Sequence, residues 1–180
     1  MRRFGGVPGG WYRATDVRKG HTVPIIAMTA LFTLQPEAVT TIRAETKPAI
    51  LEALSVRFAT VYGLEHDVVL GAILERESLG STGFGRGVAI PHARIDGIGR
   101  PVAAFLRLEA PVDFNAADGV PIDLVFGLLS PDNAGASHLH ALAAISRLMR
   151  DERMHQLLVK APNAEALYSL LSNVIDRDAA

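Results

Sequence analysis

Six histidines stand in the 180 residues, and three of them fall where a loop meets regular structure. His92 follows the apolar triplet Val88-Ala89-Ile90 and a proline, beside a loop with four glycines in eight residues, Gly80 to Gly87. His138 and His140 open a helical pattern after the turn Pro131-Asp132-Asn133-Ala134-Gly135, with Ser137 in an N-cap position. Neutral imidazole is a nucleophile with an ordinary pKa of about 6.5, so near neutral pH much of it is free to attack phosphorus. Helix N-termini leave backbone N–H groups unpaired and favour anions. A strand-end imidazole near such a terminus is a place where a phosphoryl group could be received.

Each residue also has a plainer reading. A lone histidine at a strand end is more often a surface or packing residue. A His-x-His pair could bind zinc, yet helical positions i and i+2 point to different faces. The chain has no cysteine and no clear third ligand, so no metal or cofactor is expected. Arg76, at the end of a helical stretch, would by default be a solvated cation favoured by the helix dipole. The glycine loop lacks both Gly-x-x-x-x-Gly-Lys-Ser/Thr and Gly-x-Gly-x-x-Gly, which excludes the common nucleotide loops.

The elements that must hold these residues are legible from apolar periodicity. Residues 46–62 read as an amphipathic helix capped by Thr46, with Pro48 in its first turn, Ile50, Leu51, Leu54, Phe58 and Val61 on one face, and Gly63 as its stop. A second helix over 67–77 takes Asp67 as its cap, turns Val69, Ala72, Ile73 and Leu74 inward, and ends at Arg76 and Glu77. Val88–Ile90, Val102–Leu108 and Ile122–Leu129 are strand-length apolar runs, and near-continuous apolar strands imply a sheet covered on both faces. Three helices close the chain: about 138–150, with Leu139, Leu142, Ile145 and Met149 inward, then about 152–160 and 164–174 behind Asp151 and Asn163 as caps. Helices on both sides of a strand-rich middle predict a single α/β layered domain, without internal repeats.

Bulk properties set the frame. Hydrophobic residues make up 49% and charged residues 21%, and the formal net charge is −1. Such a chain has a real core, and no global charge argues for nucleic acid or an anionic membrane. The absence of cysteine suits a reducing, cytoplasmic setting. Residues 1–27 hold Arg2, Arg3, Arg13, Arg18 and Lys19 against Asp16, are rich in glycine and show no apolar period. They read as a poorly ordered extension, with Met28 as the expected native start and the domain over 28–180. The apolar run Val23 to Leu34 is broken by Pro24, Thr29 and Thr33 and is too short for a membrane span.

Together the candidate residues resemble a known family. Glu77, then six residues, then Phe84-Gly85-Arg86-Gly87-Val88-Ala89-Ile90-Pro91-His92-Ala93 is similar to the active-histidine signature of mannitol/fructose-type enzyme IIA domains of the phosphoenolpyruvate-dependent phosphotransferase system. The resemblance continues through Glu109-Ala110-Pro111-Val112-Asp113-Phe114 and Pro121-Ile122-Asp123-Leu124-Val125-Phe126 to His138-Leu139-His140-Ala141-Leu142, covering residues 31–175. Gly80-Ser81-Thr82-Gly83 and the His-Leu-His pair resemble the nitrogen-regulatory branch. The family usually has glycine after the active histidine and often lysine next, where this chain has Ala93-Arg94.

What the resemblance implies is specific. The fold would be a mixed β-sheet with helices on both faces. His92 would accept the phosphoryl group, on Nε2, from a histidine phosphocarrier protein (HPr-like). His138 would contact that group, and Arg76 would lie near it. The first N–H groups after Ser137 would add stabilisation, and the glycine loop would let the partner's phosphohistidine come close. An apolar docking face is expected around Phe84 and Val88, with Arg94 on it, and His140 is expected on the helix surface. The chain ends soon after the matching stretch, so a stand-alone phosphotransferase component is expected, acting on regulatory target proteins. Two alternatives stay open: a sugar-transport IIA passing phosphate to a IIB domain, and a protein-binding module that keeps the fold without phosphorylation.

Overall fold

The computed structural model describes residues 31–177, with side chains through Asn173; the 1–27 extension and Met28 lie outside the described residues. The elements in chain order are β1 (Thr33–Ile42), α1 (Lys47–Tyr62), α2 (His66–Ser78), β2 (Gly83–Gly85), β3 (Val88–Ala89), β4 (His92–Ile95), β5 (Val102–Val112), β6 (Ile122–Pro131), α3 (Ala136–Met149), α4 (Glu152–Lys160) and α5 (Ala164–Arg177). The strands form one mixed six-stranded sheet in the order β1-β5-β6-β3-β2, with β4 also on β6.

β5 and β6 are the antiparallel centre, and their alternation decides the layering. Ala103, Phe105, Leu124, Phe126 and Leu128 face one side, where they meet α3, α4 and α5 through Ala141, Ile145, Met149, Leu158, Leu167 and Leu171. Ala104, Leu106, Val125 and Leu129 face the other and meet Ile50, Leu51, Leu54 and Phe58 of α1 and Val69 and Ile73 of α2. Period-two side-chain direction puts consecutive apolar residues on opposite faces, so a strand apolar throughout must be covered twice. Leu54 and Phe58 are fully buried, each stabilising the α1–sheet contact by about 2 kcal/mol. The predicted α/β layering with helices on both faces is what the chain forms.

The edge of β6 is where the sheet serves the site. Val88 and Ala89 pair in parallel with Leu124 and Val125. After a break at Ile90-Pro91, His92 to Ile95 pair in parallel with Leu128 to Pro131. Proline offers no N–H to a ladder, so the strand is interrupted there and His92 is the first residue of its continuation.

Thr46 caps α1 as expected, its side chain accepting from Ala49 N, and Gly63 ends the helix at φ 67°. Asp151 caps α4, and Asn163 Oδ1 accepts from Ala166 N. Three local expectations need correction. α2 starts at His66 behind Glu65, because Asp67 sits in its first turn, 2.9 Å from His66 Nδ1. α3 starts at Ala136 with Gly135 as its cap at φ 52°, and the Ser137 hydroxyl donates instead to Ala134 O. Leu74 and Leu139, predicted inward, are 44% and 61% exposed. The periodicity does not indicate β1: Pro36 and Glu37 interrupt it, and its register against β5 shifts between Leu34 and Val39. Tyr62 fills that irregularity, its hydroxyl donating to Ala103 O at 2.7 Å and accepting from Gln35 N. Burial pushes this phenol up to about 12.

Candidate functional site

His92 opens β4 half-buried, between the end of α2 and the first turn of α3. Its Nδ1 lies 2.8 Å from the carbonyl oxygen of Ile90. A carbonyl can only accept, so Nδ1 carries the proton. On the other side of the ring, Arg76 Nε donates to Nε2 at 3.0 Å. A guanidinium can only donate, so Nε2 presents its lone pair. The two contacts agree on one neutral tautomer with Nε2 as the available nucleophile.

The electrostatics favour the same state. Burial pushes the His92 imidazole below its ordinary value; the Ile90 carbonyl pulls it up, the Arg76 charge pushes it down again, and Glu77 opposes weakly. The net shift is downward, so the ring stays neutral at pH values where an exposed histidine would begin to charge.

His138 stands beside it, with ring centroids 5.6 Å apart and planes inclined at 49°. It is only 6% exposed, and its Nδ1 lies 2.8 Å from the Ser130 hydroxyl at the end of β6. Burial, then the neighbouring His92, Arg94 and Arg76, pushes its pKa down to about 4. His138 is therefore neutral throughout the physiological range. His140 points away and is exposed, as helical i, i+2 geometry requires. Because the cap of α3 is Gly135, two residues before Ser137, His138 N–H is the one donor of the expected set still in the unpaired first turn.

A cleft of about 310 Å³ opens onto His92, with Arg76, Thr82, Phe84, Leu142 and Ser146 in its walls. Phe84 also walls a second, larger hollow of about 430 Å³ beside Arg86 and Arg150, and the Arg150 guanidinium lies 5.1 Å from its ring centroid. Phe84, expected on a docking face, is half-buried, with part of its ring reachable from both hollows. Val88, expected beside it on that face, is instead fully buried in the core under α3 to α5. Arg94 is exposed on β4, while Ala93 beside it is buried.

The glycine-rich segment turns out to accommodate the protein's own backbone. It is a hairpin, β2 against β3, closed by Arg86 at φ 56° and Gly87 at φ 79°. A Cβ on Gly83 would fall 2.7 Å from Ala116 Cα, and one on Gly85, itself at φ 95°, would fall 2.9 Å from the Asp118 carboxylate. That carboxylate accepts from Arg86 N and Val120 N, fixing the turn. The open side of Gly83 and Gly85 faces the 116–118 segment, while Gly80 has open space beside it.

Sequence reasoning brought forward His92, Arg76 and His138, and the fold gathers all three. It missed Ser130, the Ile90 carbonyl, Lys47 and the part played by Thr82. Lys47 Nζ lies 2.6 Å from Glu77 Oε1, with side chains 18% and 6% exposed. A buried serine at a strand end carries no periodic signal, and an ion pair between residues 30 apart in sequence is visible only after folding.

Among the described residues, no group of three histidines or carboxylates could hold a metal ion, and no helix is long and apolar enough to cross a membrane. Residues 33–174 match the family described as "Phosphoenolpyruvate-dependent sugar phosphotransferase system, EIIA 2". A protein of Bradyrhizobium diazoefficiens named "Nitrogen regulatory protein" is 41% identical over 138 residues, 76% of this chain and 90% of that one. A Haloferax volcanii protein named "PTS system fructose-specific EIIA component" is 37% identical over 112 residues, 62% of this chain and 73% of that one. The crystal structure of nitrogen regulatory protein IIA-Ntr from Neisseria meningitidis superposes with a TM-score of 0.72 at 34% identity, covering 77% of this chain and 95% of that one.

Proposed function

The chain belongs to the EIIA 2 family of the phosphoenolpyruvate-dependent sugar phosphotransferase system, and from that premise we propose that it carries a phosphoryl group on Nε2 of His92. The donor is the phosphohistidine of an HPr-like carrier protein. The observation that carries this reading is the pair of contacts on one ring: Nδ1–H to Ile90 O and Nε2 to Arg76 Nε–H. They leave one nitrogen with a lone pair and place a cation beside it.

The transfer follows from that geometry. The Nε2 lone pair forms a bond to phosphorus as the donor's P–N bond breaks, and the donor imidazole leaves with the electron pair of that bond. Positive charge develops on the His92 ring, and the Ile90 carbonyl stabilises it through the Nδ1–H bond. Arg76 pivots from Nε2 to the phosphoryl oxygens, keeping its cation within the site. In this mechanism the Ser130 hydroxyl donates to Nδ1 of neutral His138, the ring's own proton rests on Nε2, and that N–H is offered to the transferring group. Phosphoryl transfer asks mainly for in-line placement and charge stabilisation, which these side chains supply. Phosphohistidine keeps a high transfer potential, so the group can be handed on.

The same reading gives the protein a regulatory role in the cytoplasm, its two phosphorylation states differing in affinity for target proteins. The name of the 41%-identical relative favours this. A phosphoryl group on His92 places nearly two negative charges beside Phe84, enough to switch a modest interface. The fructose-specific name of the other relative favours the transport reading, in which a IIB domain takes the phosphate; sugar-dependent loss of phosphate with a cognate IIB domain would decide for transport. Phosphorus–nitrogen correlated NMR of the phosphorylated protein tests the chemistry. Coupling at Nε2 of a single histidine is expected, and coupling at Nδ1 would overturn the tautomer argument.

A further inference from the structure

We propose that Lys47 is a positioning residue for the His92 reaction, acting through a Lys47–Glu77–Thr82 clamp that sets both Arg76 and the Ile90 carbonyl against the nucleophilic ring. The proposal rests on the phosphoryl-transfer reading above.

Glu77 follows Arg76 in the last turn of α2, and successive helix positions diverge by about 100°. Arg76 faces the cleft and Glu77 the interior. The Glu77 carboxylate receives three hydrogen bonds: Lys47 Nζ at 2.6 Å and Thr82 N at 2.9 Å on Oε1, and Thr82 Oγ1 at 2.5 Å on Oε2. Burial pushes this carboxyl up, but Lys47 and Thr82 overcome it and hold it below the ordinary range. It stays ionised and keeps accepting.

From Thr82 the connection runs in two directions. Thr82 O accepts from Ile90 N at 2.9 Å, and Ile90 O is the group that fixes the His92 tautomer. The short loop 79–82 also contains Gly80, whose carbonyl accepts from Arg76 Nη1 at 3.1 Å. The clamp therefore touches the support of both nitrogens of His92. Lys47 comes from another element, the first turn of α1, and is itself placed by Ser81 Oγ at 3.4 Å and by the Phe114 ring at 4.6 Å. Without the Lys47 charge, Glu77 is a poorly exposed carboxylate short of its cation; it takes up a proton more readily, and a protonated carboxyl holds the two Thr82 donors less firmly.

The test uses Lys47→Met, which keeps the stem and removes the charge, and Lys47→Arg, which keeps the charge. Phosphate acceptance from a charged carrier protein is measured against carrier concentration, and the His92 tautomer by 15N NMR without phosphate. Lys47→Met is expected to lower the saturating rate about tenfold with KM unchanged, and to move His92 from a single Nδ1–H form to a mixture. Lys47→Arg should recover most of both. A folded Lys47→Met protein with wild-type rate and wild-type His92 signals would overturn the proposal. Should Lys47→Met not fold, Thr82→Val removes one bond of the clamp and should still cost a few-fold in rate and shift the His92 signals; unchanged values there would overturn it equally. If wild-type protein accepts no phosphate, the relay reading fails, and the tautomer measurement still decides on the clamp.

Discussion

The start of β4 and the first turn of α3 bring two imidazoles together, ring centroids 5.6 Å apart, and the two regions treat them differently. At β4 a backbone carbonyl holds Nδ1 and a guanidinium meets Nε2, leaving His92 half-exposed with a lone pair facing a cation. At α3 a serine hydroxyl meets Nδ1 of a ring that is almost fully buried and pushed down to about 4. One residue type is thus divided into two roles by its surroundings. The reachable ring keeps the lone pair that a nucleophile needs, while the buried one stays neutral. Its low pKa keeps a second positive charge away from Arg76 until a phosphoryl group brings negative charge with it.

The division is most sharply broken at the nucleophile. His92→Ala should abolish phosphorylation entirely while costing only about 1 kcal/mol of stability, since it removes hydrogen bonds at a half-exposed site; mass spectrometry and thermal melting check the two halves. Arg76→Met should follow, lowering the transfer rate about a hundredfold because the charge opposite the phosphoryl oxygens is lost. His138→Ala should be milder, about ten- to a hundredfold in rapid-quench assays, since the nucleophile and Arg76 remain. A larger loss from His138→Ala than from Arg76→Met would reverse the assigned roles.

These residues were legible because they fall in an ordered motif, with Glu77, Phe84 to Ala93 and the His-Leu-His pair in fixed sequence. Their supports were not. Lys47 reads as an ordinary first-turn lysine of α1, and only the packing of α1 against α2 brings it to Glu77. β1 escaped because Pro36 and Glu37 break its pattern, and the hydroxyl that repairs the gap comes from Tyr62, at the far end of α1. The caps of α2 and α3 went to Glu65 and Gly135 because the better capping residues, Asp67 and Ser137, took local partners inside the first turn. Elements with strong period, such as α1 and β6, were read closely; contacts joining distant segments leave no trace in either segment alone.

The smallest effects sharpen the comparison through pH. Unfolded His138 titrates near 6.5 and folded His138 near 4, so below pH 6.5 the unfolded state binds a proton that the folded state refuses. That contribution weakens the fold progressively as pH falls from about 6.5 to 4. Between pH 7 and 4.5 wild type should lose about 2 kcal/mol more than His138→Ala in urea titrations; equal losses would place the ring in a wetter site. For His92 the downward shift means that acceptance falls off at a lower pH than it would for an exposed imidazole.

Intact mass bears most directly on the central claim, with wild type and His92→Ala each incubated with phosphoenolpyruvate, enzyme I and a histidine phosphocarrier protein. The account predicts one acid-labile phosphoryl group on wild type and none on the variant. An unmodified wild type beside a carrier shown to be charged, or a variant phosphorylated like wild type, would contradict it.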